Sequence, residues 1–314
     1  MNSDLLQVFK ALADETRLRL LAVLAQGDFN VNELIEILRM GQSRISRHLK
    51  ILAECGLVVS RREGHWTFYS LTPPNGRVEL GEAASLALKA AARLRSRETD
   101  LQQIESIVQR RRQASQRYFD RVGPEWERLQ REVLDSSYYR EHVLRHLPQG
   151  RESAADLGAG AGLLLPALLQ RFQRVIAIDS SRTMLRVAAD YVAQEMPAAL
   201  ARCDFRLGEI EHLPLPDAAV EAAVACMVLH HVSQPAGALA EIFRILKPGG
   251  TLVIADLLQH EVVEMREKYA DLWLGFKRAD LNKWLIAAGF APPQSEILAK
   301  NETMKVLIFQ ATKP

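Results

Sequence analysis

The glycine-rich stretch Asp156-Leu-Gly-Ala-Gly-Ala-Gly162 constrains this chain more than any other feature. A short apolar run precedes it and a second one, Leu163–Leu169, follows, which predicts a buried strand, a tight turn and a helix. Gly158 and Gly160 have no Cβ atoms to obstruct a ligand, and the free N–H groups at the start of the helix attract one. The stretch therefore predicts a site for a nucleotide-like ligand.

The next predicted strand, Arg174–Asp179, ends in an acid about twenty residues after the glycines, where a carboxylate accepts hydrogen bonds from ribose hydroxyls. The alternative is that Asp179 only caps the helix that follows. A dinucleotide site has the spacing G-x-G-x-x-G, which requires glycine where this chain has Leu163. The spacing thus favours another nucleoside ligand.

The pattern D-x-G-x-G-x-G resembles motif I of the class I S-adenosylmethionine-dependent methyltransferases. Further matches to that family are Gly208-Glu-Ile210, Ala225–His231 and Leu246-Lys-Pro-Gly-Gly250. The resemblance covers residues 118–312 and implies that the ligand is S-adenosylmethionine or S-adenosylhomocysteine, with Glu209 at the adenine amino group. It implies these cofactor-binding residues: Asp156, Gly158, Ala159, Gly160, Gly162, Asp179, Ser180, Met184, Gly208, Glu209, Ile210, Cys226, Tyr118 and Trp126.

Other features of this half leave alternatives open. The segment Tyr118–Trp126 resembles the N-terminal lid of many small-molecule methyltransferases, or it is an aromatic patch that docks a helix on the sheet. His230 and His231 are weak candidates for a catalytic base, although a place in the pocket wall is the favoured interpretation. Methyl transfer from a sulfonium needs positioning more than particular side chains, so whether the chain is an enzyme stays open.

Strands and helices alternate over residues 150–314. Strands are predicted near 153–157, 174–179, 202–207, 219–229, 250–258, 293–299 and 303–312. This alternation predicts a Rossmann-like, doubly wound sheet of seven strands, with the ligand at the carboxyl ends of its parallel strands. The methyltransferase resemblance implies that the last strand is antiparallel. The predicted fold class is α/β overall.

Residues 1–72 predict short helices followed by a β-hairpin. Ile45, Leu49 and Leu52 recur at helical spacing, which leaves cationic side chains on the opposite face of that helix. From Arg39 to Arg62, six lysines and arginines accompany one glutamate, a local charge of 6 − 1 = +5. A basic helix can be only a solvated surface, but the order helix, helix, hairpin favours DNA binding.

Three stretches, Leu12–Leu21, Ser43–Leu49 and Glu54-Cys-Gly-Leu57, resemble the ArsR family of dimeric winged-helix repressors. The resemblance implies an α+β winged helix-turn-helix domain whose homodimer binds a palindromic operator in double-stranded DNA. It implies these DNA-binding residues: Gln42, Ser43, Arg44, Ser46, Arg47, His48, Lys50, Arg61, Arg62 and His65. Arg44 and Arg47 are expected at base edges because arginine pairs bidentately with guanine. His48 is equally explained by a phosphate contact or by packing.

One departure from that family concerns metals. Metal-sensing members carry an E-L-C-V-C box in the third helix, where this chain has Glu33-Leu-Ile-Glu-Ile37. The cysteines, Cys55, Cys203 and Cys226, are too scattered for a disulfide framework or a C-x-x-C metal site. No metal site is therefore expected, and the effector is expected to bind elsewhere in the chain.

Residues 73–149 are predicted to be a helical linker between domains 1–72 and 150–314. An apolar stripe at helical spacing follows Leu80, Ala84, Ala87, Ala91, Leu94, Leu101, Ile104 and Val108. The stripe either packs against its own domain or pairs across a two-fold axis. The first and last helices of ArsR-like domains form the dimer, so the resemblance favours dimerisation.

Composition limits the number of domains and the location of the protein. The 314 residues are 48% hydrophobic, which is enough core for two domains. No N-terminal apolar signal and no apolar run of about 18 residues is found, so we expect a cytoplasmic location and no membrane partner.

Three functions compete at this point. The favoured one is a repressor whose methyltransferase-like domain binds S-adenosylmethionine or S-adenosylhomocysteine as effector. The second is an active methyltransferase of a small-molecule acceptor tethered to a DNA-binding module. The third, a repressor whose second domain is only scaffold, is least favoured because Asp156, the glycines and Asp179 form a complete site.

Overall fold

The computed structural model describes residues 2–63, 66–72, 78–126, 128–129, 134, 136–299 and 304–314. The chain divides into two compact units, Met1–Arg110 and Arg111–Pro314. No helix within the described ranges is long and apolar enough to cross a membrane. The division into 1–72, 73–149 and 150–314 stays a prediction.

The first unit combines helices with a small antiparallel sheet. Its helices are α1 (Asn2–Leu12), α2 (Glu15–Leu24), α3 (Val31–Leu38), α4 (Gln42–Glu54) and α5 (Val78–Ala91). Its strands are β1 (Phe29–Asn30), β2 (Val58–Glu63) and β3 (Trp66–Leu71), in the order β1-β3-β2. Helix α6 (Arg97–Val122) begins in this unit and ends in the second. The predicted winged helix-turn-helix fold is confirmed.

Local chemistry sets the ends of α3 and α4. The Asn30 side chain accepts the Glu33 N–H and the Glu33 carboxylate accepts the Asn30 N–H, a reciprocal cap that begins α3. Arg39 ends α3 in the left-handed conformation (φ 53°), and α4 begins at Gln42. The apolar face of α4, which includes Ile45, is buried, so the opposite face is left to solvent.

The predicted apolar stripe runs along two helices rather than one. Helix α5 ends at Ala91 and α6 begins at Arg97. The buried residues of the stripe, among them Ala87, Ile104 and Val108, join the core of the first unit. The stripe therefore packs against its own domain, because the turn between the helices lets both of them cover that core.

The second unit alternates strands with helices. Its helices are α7 (Ser137–His146), α8 (Leu165–Arg171), α9 (Arg182–Glu195), α10 (Pro235–Ile245), α11 (Glu264–Tyr269) and α12 (Arg278–Ala287), with 3-10 turns at Gly123–Glu125, Pro197–Arg202 and Leu229–His231. Its strands are β4 (Arg151–Leu157), β5 (Phe172–Asp179), β6 (Cys203–Leu207), β7 (Val220–Cys226), β8 (Leu246–Leu257), β9 (Gln294–Ala299) and β10 (Lys305–Thr312).

These strands form one sheet in the order β6-β5-β4-β7-β8-β10-β9. The pairs from β6 to β8 are parallel, and β10 is antiparallel to both of its neighbours, so the predicted seven-stranded sheet is confirmed. Strand β8 begins four residues before the predicted 250, because Leu246 pairs with Val220 ahead of a bulge. Apolar clusters cover both faces of the sheet.

Candidate ligand site and nucleic-acid surface

The three motif glycines have different roles, although all adopt positive φ angles (70°, 53° and 78°). A Cβ atom on Gly158 would lie 2.2 Å from Val228 Cγ2, and one on Gly162 would lie 2.8 Å from Ala188 Cβ. At Gly160 the nearest atoms to such a Cβ are 4.0 Å away. Gly158 and Gly162 therefore permit close packing of the turn, whereas Gly160 borders open space.

Asp179, at the carboxyl end of β5, holds the glycine turn. Its carboxylate accepts the Gly160 N–H (2.9 Å) and the Ser181 N–H (2.8 Å). Burial raises its pKa, and these N–H donors oppose that rise. The Ser181 hydroxyl caps α9 by accepting the Met184 N–H (3.1 Å), so capping that helix is not the main role of Asp179. A carboxylate has about four acceptor positions, which leaves capacity for ligand hydroxyls.

Cavity 1 opens above the carboxyl ends of β4, β5 and β6. It is lined by Arg112, Ser115, Gln116, Phe119, Trp126, Gly158, Gly160, Asp179, Ser180, Met184, Gly208, Glu209, Ile210, Glu211, Met227, Val228, His231, Val232 and Ser233. Most of the residues predicted for the nucleoside end of a cofactor thus lie around one space.

Arg112 is a lining residue that the sequence did not reveal. Its Nη1 lies 3.2 Å from the Glu209 carboxylate and its Nε lies 3.4 Å from Glu211. Arg112 belongs to a run of three consecutive arginines, a pattern typical of a solvated helix face, yet its side chain is only 18% exposed. The cation orients two carboxylates at the edge of the cavity.

Cavity 2 lies on the other side of the glycine turn and contains opposite charges. It is lined by Trp126, Ser136, Tyr139, Arg140, Asp156, Gly158, Ala159, Gly160, Ala161, Leu163, Leu164, Cys226 and Met227. Burial, with a smaller contribution from Asp179, raises the pKa of Asp156 to about 7. Arg140 donates to the Leu163 carbonyl (2.9 Å), while its buried Nε has no hydrogen-bond partner among the described residues. An acid and a cation in one cavity match the two ends of an α-amino acid.

An aromatic cluster closes this region. The Phe119 ring lies 5.0 Å from that of Trp126 and 4.8 Å from that of His231, in edge-to-face contacts. The Tyr118 ring makes T-shaped contacts with the rings of Phe119 and Trp126, and its hydroxyl donates to the Lys268 carbonyl (2.6 Å). Of this segment, Trp126 and Phe119 line the cavities and Tyr118 does not, and the role of these residues in cofactor binding stays a prediction.

Cavity 3 is mainly apolar, with a polar end. It is lined by Trp126, Leu134, Tyr139, Met227, His230, Leu257, Met265, Tyr269 and Asp271. Trp126 and Met227 line all three cavities, and Met227 has a left-handed backbone (φ 52°) that is uncommon outside glycine. The three spaces therefore meet at these two side chains.

A buried group of charges forms the polar end of cavity 3. His230 Nδ1 lies 2.6 Å from Asp256 Oδ1, and Asp256 also accepts the N–H groups of Leu229 and Leu257. Burial opposes a charge on His230, but Asp256 and Asp271 raise its pKa to about 9. Burial raises the pKa of Asp271 to about 7.

The pKa values of the two histidines shift in opposite directions. Burial, reinforced by the charge of His230, lowers the pKa of His231 well below its ordinary value. A neutral His231 borders cavity 1, which agrees with the favoured interpretation of a wall residue.

The structure brings together most predicted cofactor residues and separates two of them. Gly162 and Tyr118 do not line the three cavities. Sequence reasoning missed Arg112, Arg140 and Asp271, each of which reaches the site from a helix or loop far along the chain. No local motif surrounds them, so only the folded chain reveals them.

In the first unit, α4 presents the predicted cationic face to solvent. The predicted contact residues Gln42, Ser43, Arg44, Ser46, Arg47 and Lys50 are exposed. Arg61 is partly buried with Asp28 3.6 Å away, and Arg62 is exposed. His65 lies outside the described residues.

His48 differs from the rest of this helix face. Its ring is 9% exposed and Nδ1 lies 3.7 Å from Asp14 and 3.4 Å from Arg17. Burial lowers its pKa. This placement favours the packing interpretation over a phosphate contact.

The chain matches two family models. Residues 14–60 match that of the bacterial regulatory proteins of the arsR family, and residues 155–254 match that of the methyltransferase domain. The arsenic resistance transcriptional regulator ArsR1 of Pseudomonas putida is 46% identical over 67 residues, which are 21% of this chain and 52% of that one. A malonyl-[acyl-carrier protein] O-methyltransferase of Laribacter hongkongensis is 28% identical over 195 residues, which are 57% of this chain and 64% of that one.

A solved structure shares the fold of the second unit. It is the geranyl diphosphate C-methyltransferase of Streptomyces coelicolor A3(2) in complex with Mg²⁺, geranyl diphosphate and S-adenosyl-L-homocysteine. The TM-score is 0.50 at 15% identity, over 57% of this chain and 79% of that one. The chain spans 30% to 64% of the length of the curated relatives that it matches. Its residues 14–60 thus carry the sequence pattern of the arsR family of bacterial regulatory proteins, and its residues 155–254 carry that of the methyltransferase domain.

Proposed function

We propose that this chain is a DNA-binding transcriptional repressor whose methyltransferase domain binds S-adenosylmethionine or S-adenosylhomocysteine as an effector. One observation carries the proposal: a single chain joins an arsR-family segment with an exposed cationic helix to a complete nucleoside and amino-acid site. The arsR segment has no cysteine box, which leaves the second unit to supply the effector site.

The described residues fit such a ligand. Cavity 1 would take the adenosine, with Asp179 accepting ribose hydroxyls and Ile210 beneath the adenine. Cavity 2 would take the amino-acid end, with Asp156 near its ammonium and Arg140 Nε, which has no hydrogen-bond partner among the described residues, near its carboxylate. Gly160 lines both cavities, so the sugar and sulfur would pass beside it.

DNA binding is supported by charge and geometry in the first unit. Because the apolar face of α4 is buried, Arg44, Arg47 and Lys50 are exposed together on one face, the arrangement expected of a recognition helix. We place Arg44 and Arg47 at base edges and Lys50 at a phosphate.

A homodimer is supported by an apolar surface on the first unit. Leu5, Leu6 and Phe9 of α1 and Leu86 of α5 are exposed large apolar side chains. Helices α1 and α5 pack against each other, so these side chains belong to one region of the unit. A second copy that covers this surface would present two recognition helices to a palindromic operator.

Coupling between ligand and DNA is proposed to run through α6. Arg112, Gln116 and Phe119 of this helix line cavity 1, and Gln116 donates to the Ser180 carbonyl (3.0 Å). In its first half, Asp100 and Ile104 are buried in the first unit. A ligand that orders the second half of α6 thus acts on a helix that the DNA-binding unit also uses.

The test is fluorescence anisotropy of labelled operator DNA, titrated with the full chain at fixed salt, with and without each ligand. A coupling free energy of about 1–3 kcal/mol corresponds to a 5–150-fold change in DNA affinity. If both ligands bind the protein and neither changes DNA affinity, the effector role is wrong.

A second candidate, methyl transfer to a small acceptor, is favoured by cavity 3. This mainly apolar space adjoins the proposed cofactor site at Trp126 and Met227. Incubation of the chain with methyl-labelled S-adenosylmethionine and a small-molecule extract tests it. Appearance of the labelled methyl group in a small molecule of the extract supports transfer. If no labelled product exceeds the spontaneous breakdown of S-adenosylmethionine, methyl transfer to a small acceptor is contradicted.

A further inference from the structure

His230, His231 and Asp271 converge at the place where cavities 1 and 3 approach each other. One nitrogen from each ring and one Asp271 oxygen lie within 4.8 Å of one another. We propose that these three side chains bind a divalent transition-metal ion of borderline type, such as Zn²⁺. The proposal does not depend on DNA binding or on the identity of the nucleoside ligand.

The distances fit coordination better than direct hydrogen bonding. Asp271 Oδ1 lies 3.8 Å from His230 Nε2 and 3.8 Å from His231 Nδ1, which is too long for a hydrogen bond. Ligand atoms that each lie about 2.0–2.2 Å from one ion are separated by about 3–4 Å. An ion would therefore need only small adjustments of these side chains.

Unsatisfied polar atoms point to a missing ligand. Asp271 is 3% exposed, and neither of its carboxylate oxygens has a hydrogen-bond partner among the residues that the structure describes. The Nδ1 of His231, which faces Asp271, lies 3.3 Å from the Ala270 carbonyl oxygen and would exchange this long contact for the ion. Buried carboxylates are normally hydrogen-bonded, closely paired or bound to metal because desolvation of the charge is very unfavourable, and the His230 ring, 3.8 Å away, is too distant to hydrogen-bond Asp271. A cation bound between the rings would satisfy this carboxylate.

Asp256 supplies the support that metal-binding histidines usually have. It accepts the His230 Nδ1–H at 2.6 Å and is itself fixed by the N–H groups of Leu229 and Leu257. With Nδ1 protonated in this bond, an ion would bind Nε2 in place of the second ring proton, and the carboxylate increases the basicity of Nε2. Carboxylate, histidine and ion would then form the arrangement common at zinc sites.

The donor set selects the class of ion. Two imidazoles and one carboxylate suit Zn²⁺, Fe²⁺ or Mn²⁺, whereas the absence of a thiolate from these three ligands disfavours Cu⁺. His230 and Asp271 border cavity 3 and His231 borders cavity 1. Three protein ligands next to open space are typical of a site that keeps one position for water or substrate. The cysteine box whose absence predicts no metal site involves none of these residues.

The test uses the full chain, treated with a chelator, desalted and titrated with ZnCl₂ by isothermal calorimetry. We expect one tight equivalent per chain in the wild type and its loss in Asp271→Asn. The matched control is Glu296→Gln, because Glu296 Oε1 lies near His142 Nδ1 (3.1 Å) and His146 Nε2 (3.2 Å), another grouping of two histidines and an acid. Glu296 is already paired with these two histidines, so the Glu296→Gln variant should still bind one equivalent of Zn²⁺ per chain.

Two further measurements keep the test decisive if Asp271→Asn folds poorly. Asp256→Asn should weaken Zn²⁺ binding by about 10–100-fold. Visible absorption of the Co²⁺ form should show d–d bands without a thiolate charge-transfer band. Circular dichroism of each metal-free variant checks the fold. The proposal is overturned if the wild type binds no equivalent, if Asp271→Asn and Asp256→Asn bind like the wild type, or if only Glu296→Gln loses the ion.

Discussion

Gly160→Ala should abolish ligand binding while the fold is kept. Gly160 has φ 53°, and a Cβ there would have no atom closer than 4.0 Å, so the substitution creates no clash. The left-handed conformation costs an alanine about 1–2 kcal/mol. The new methyl group would nevertheless occupy the border of cavities 1 and 2, where the sugar and sulfur of the proposed ligand pass.

Gly150→Ala is a matched control for this prediction. Gly150 has φ 69°, a Cβ atom added to it would meet no other atom within 4 Å, and it precedes β4 without lining the cavities. Its backbone cost should be the same 1–2 kcal/mol, which corresponds to a decrease in Tm of roughly 2–8 °C for a unit of this size. The two variants should thus differ in ligand binding and not in stability.

The assay is thermal unfolding with and without S-adenosylhomocysteine. At a hundredfold excess over Kd, a bound ligand stabilises the folded state by about 2.7 kcal/mol. The wild type and Gly150→Ala should show this gain, and Gly160→Ala should show none. Equal gains in the two alanine variants would refute the placement of the ligand beside Gly160.

Three other predictions concern separate features. Arg44→Ala should weaken operator binding by about 1–3 kcal/mol in anisotropy titrations, whereas Arg145→Ala, an exposed residue of the other unit, should not; equal effects would contradict a base contact. Asp100→Ala leaves the partly buried Arg19 without its bidentate partner (2.6 and 2.8 Å) and should cost about 3–5 kcal/mol in denaturant unfolding; a cost under about 1 kcal/mol would mean that the pair behaves as an exposed one. Because the pKa of Asp156 is raised to about 7 in the folded state, the folded chain binds a proton that the unfolded chain loses near pH 4. The free energy of unfolding should therefore fall between about pH 4 and 7, by roughly 1.4 kcal/mol per unit, and Asp156→Asn should lack this fall; parallel pH profiles would contradict it.

The sequence predicted those features that local patterns encode. The alternation of apolar runs gave the strands of the sheet within a few residues, and the spacing of Ile45 and Leu49 gave the buried face of α4. It did not distinguish Gly160, which borders open space, from Gly162, which packs against Ala188. All three motif glycines have positive φ angles, so only their neighbours in space separate these roles.

Long-range contacts were the part that local patterns could not predict. Arg112 stands in a run of three arginines with nothing local to distinguish it, yet it lies beside Glu209, 97 positions later in the chain. Asp271 has no surrounding motif, and it reaches His230 only through the fold of the loop after α11. Such pairings depend on the registry of distant elements, which the spacing of apolar residues does not specify.

The left-handed backbone of Met227 has a consequence for how the cavities respond to occupancy. A non-glycine residue in this conformation costs about 1–2 kcal/mol, and the surrounding packing maintains it. This strained residue, Met227, separates cavities 1, 2 and 3. Rotation of its backbone to an extended conformation would release the strain energy and would also join the three cavities. We therefore expect the partition at Met227 to be the first part of the pocket to yield when a large molecule enters.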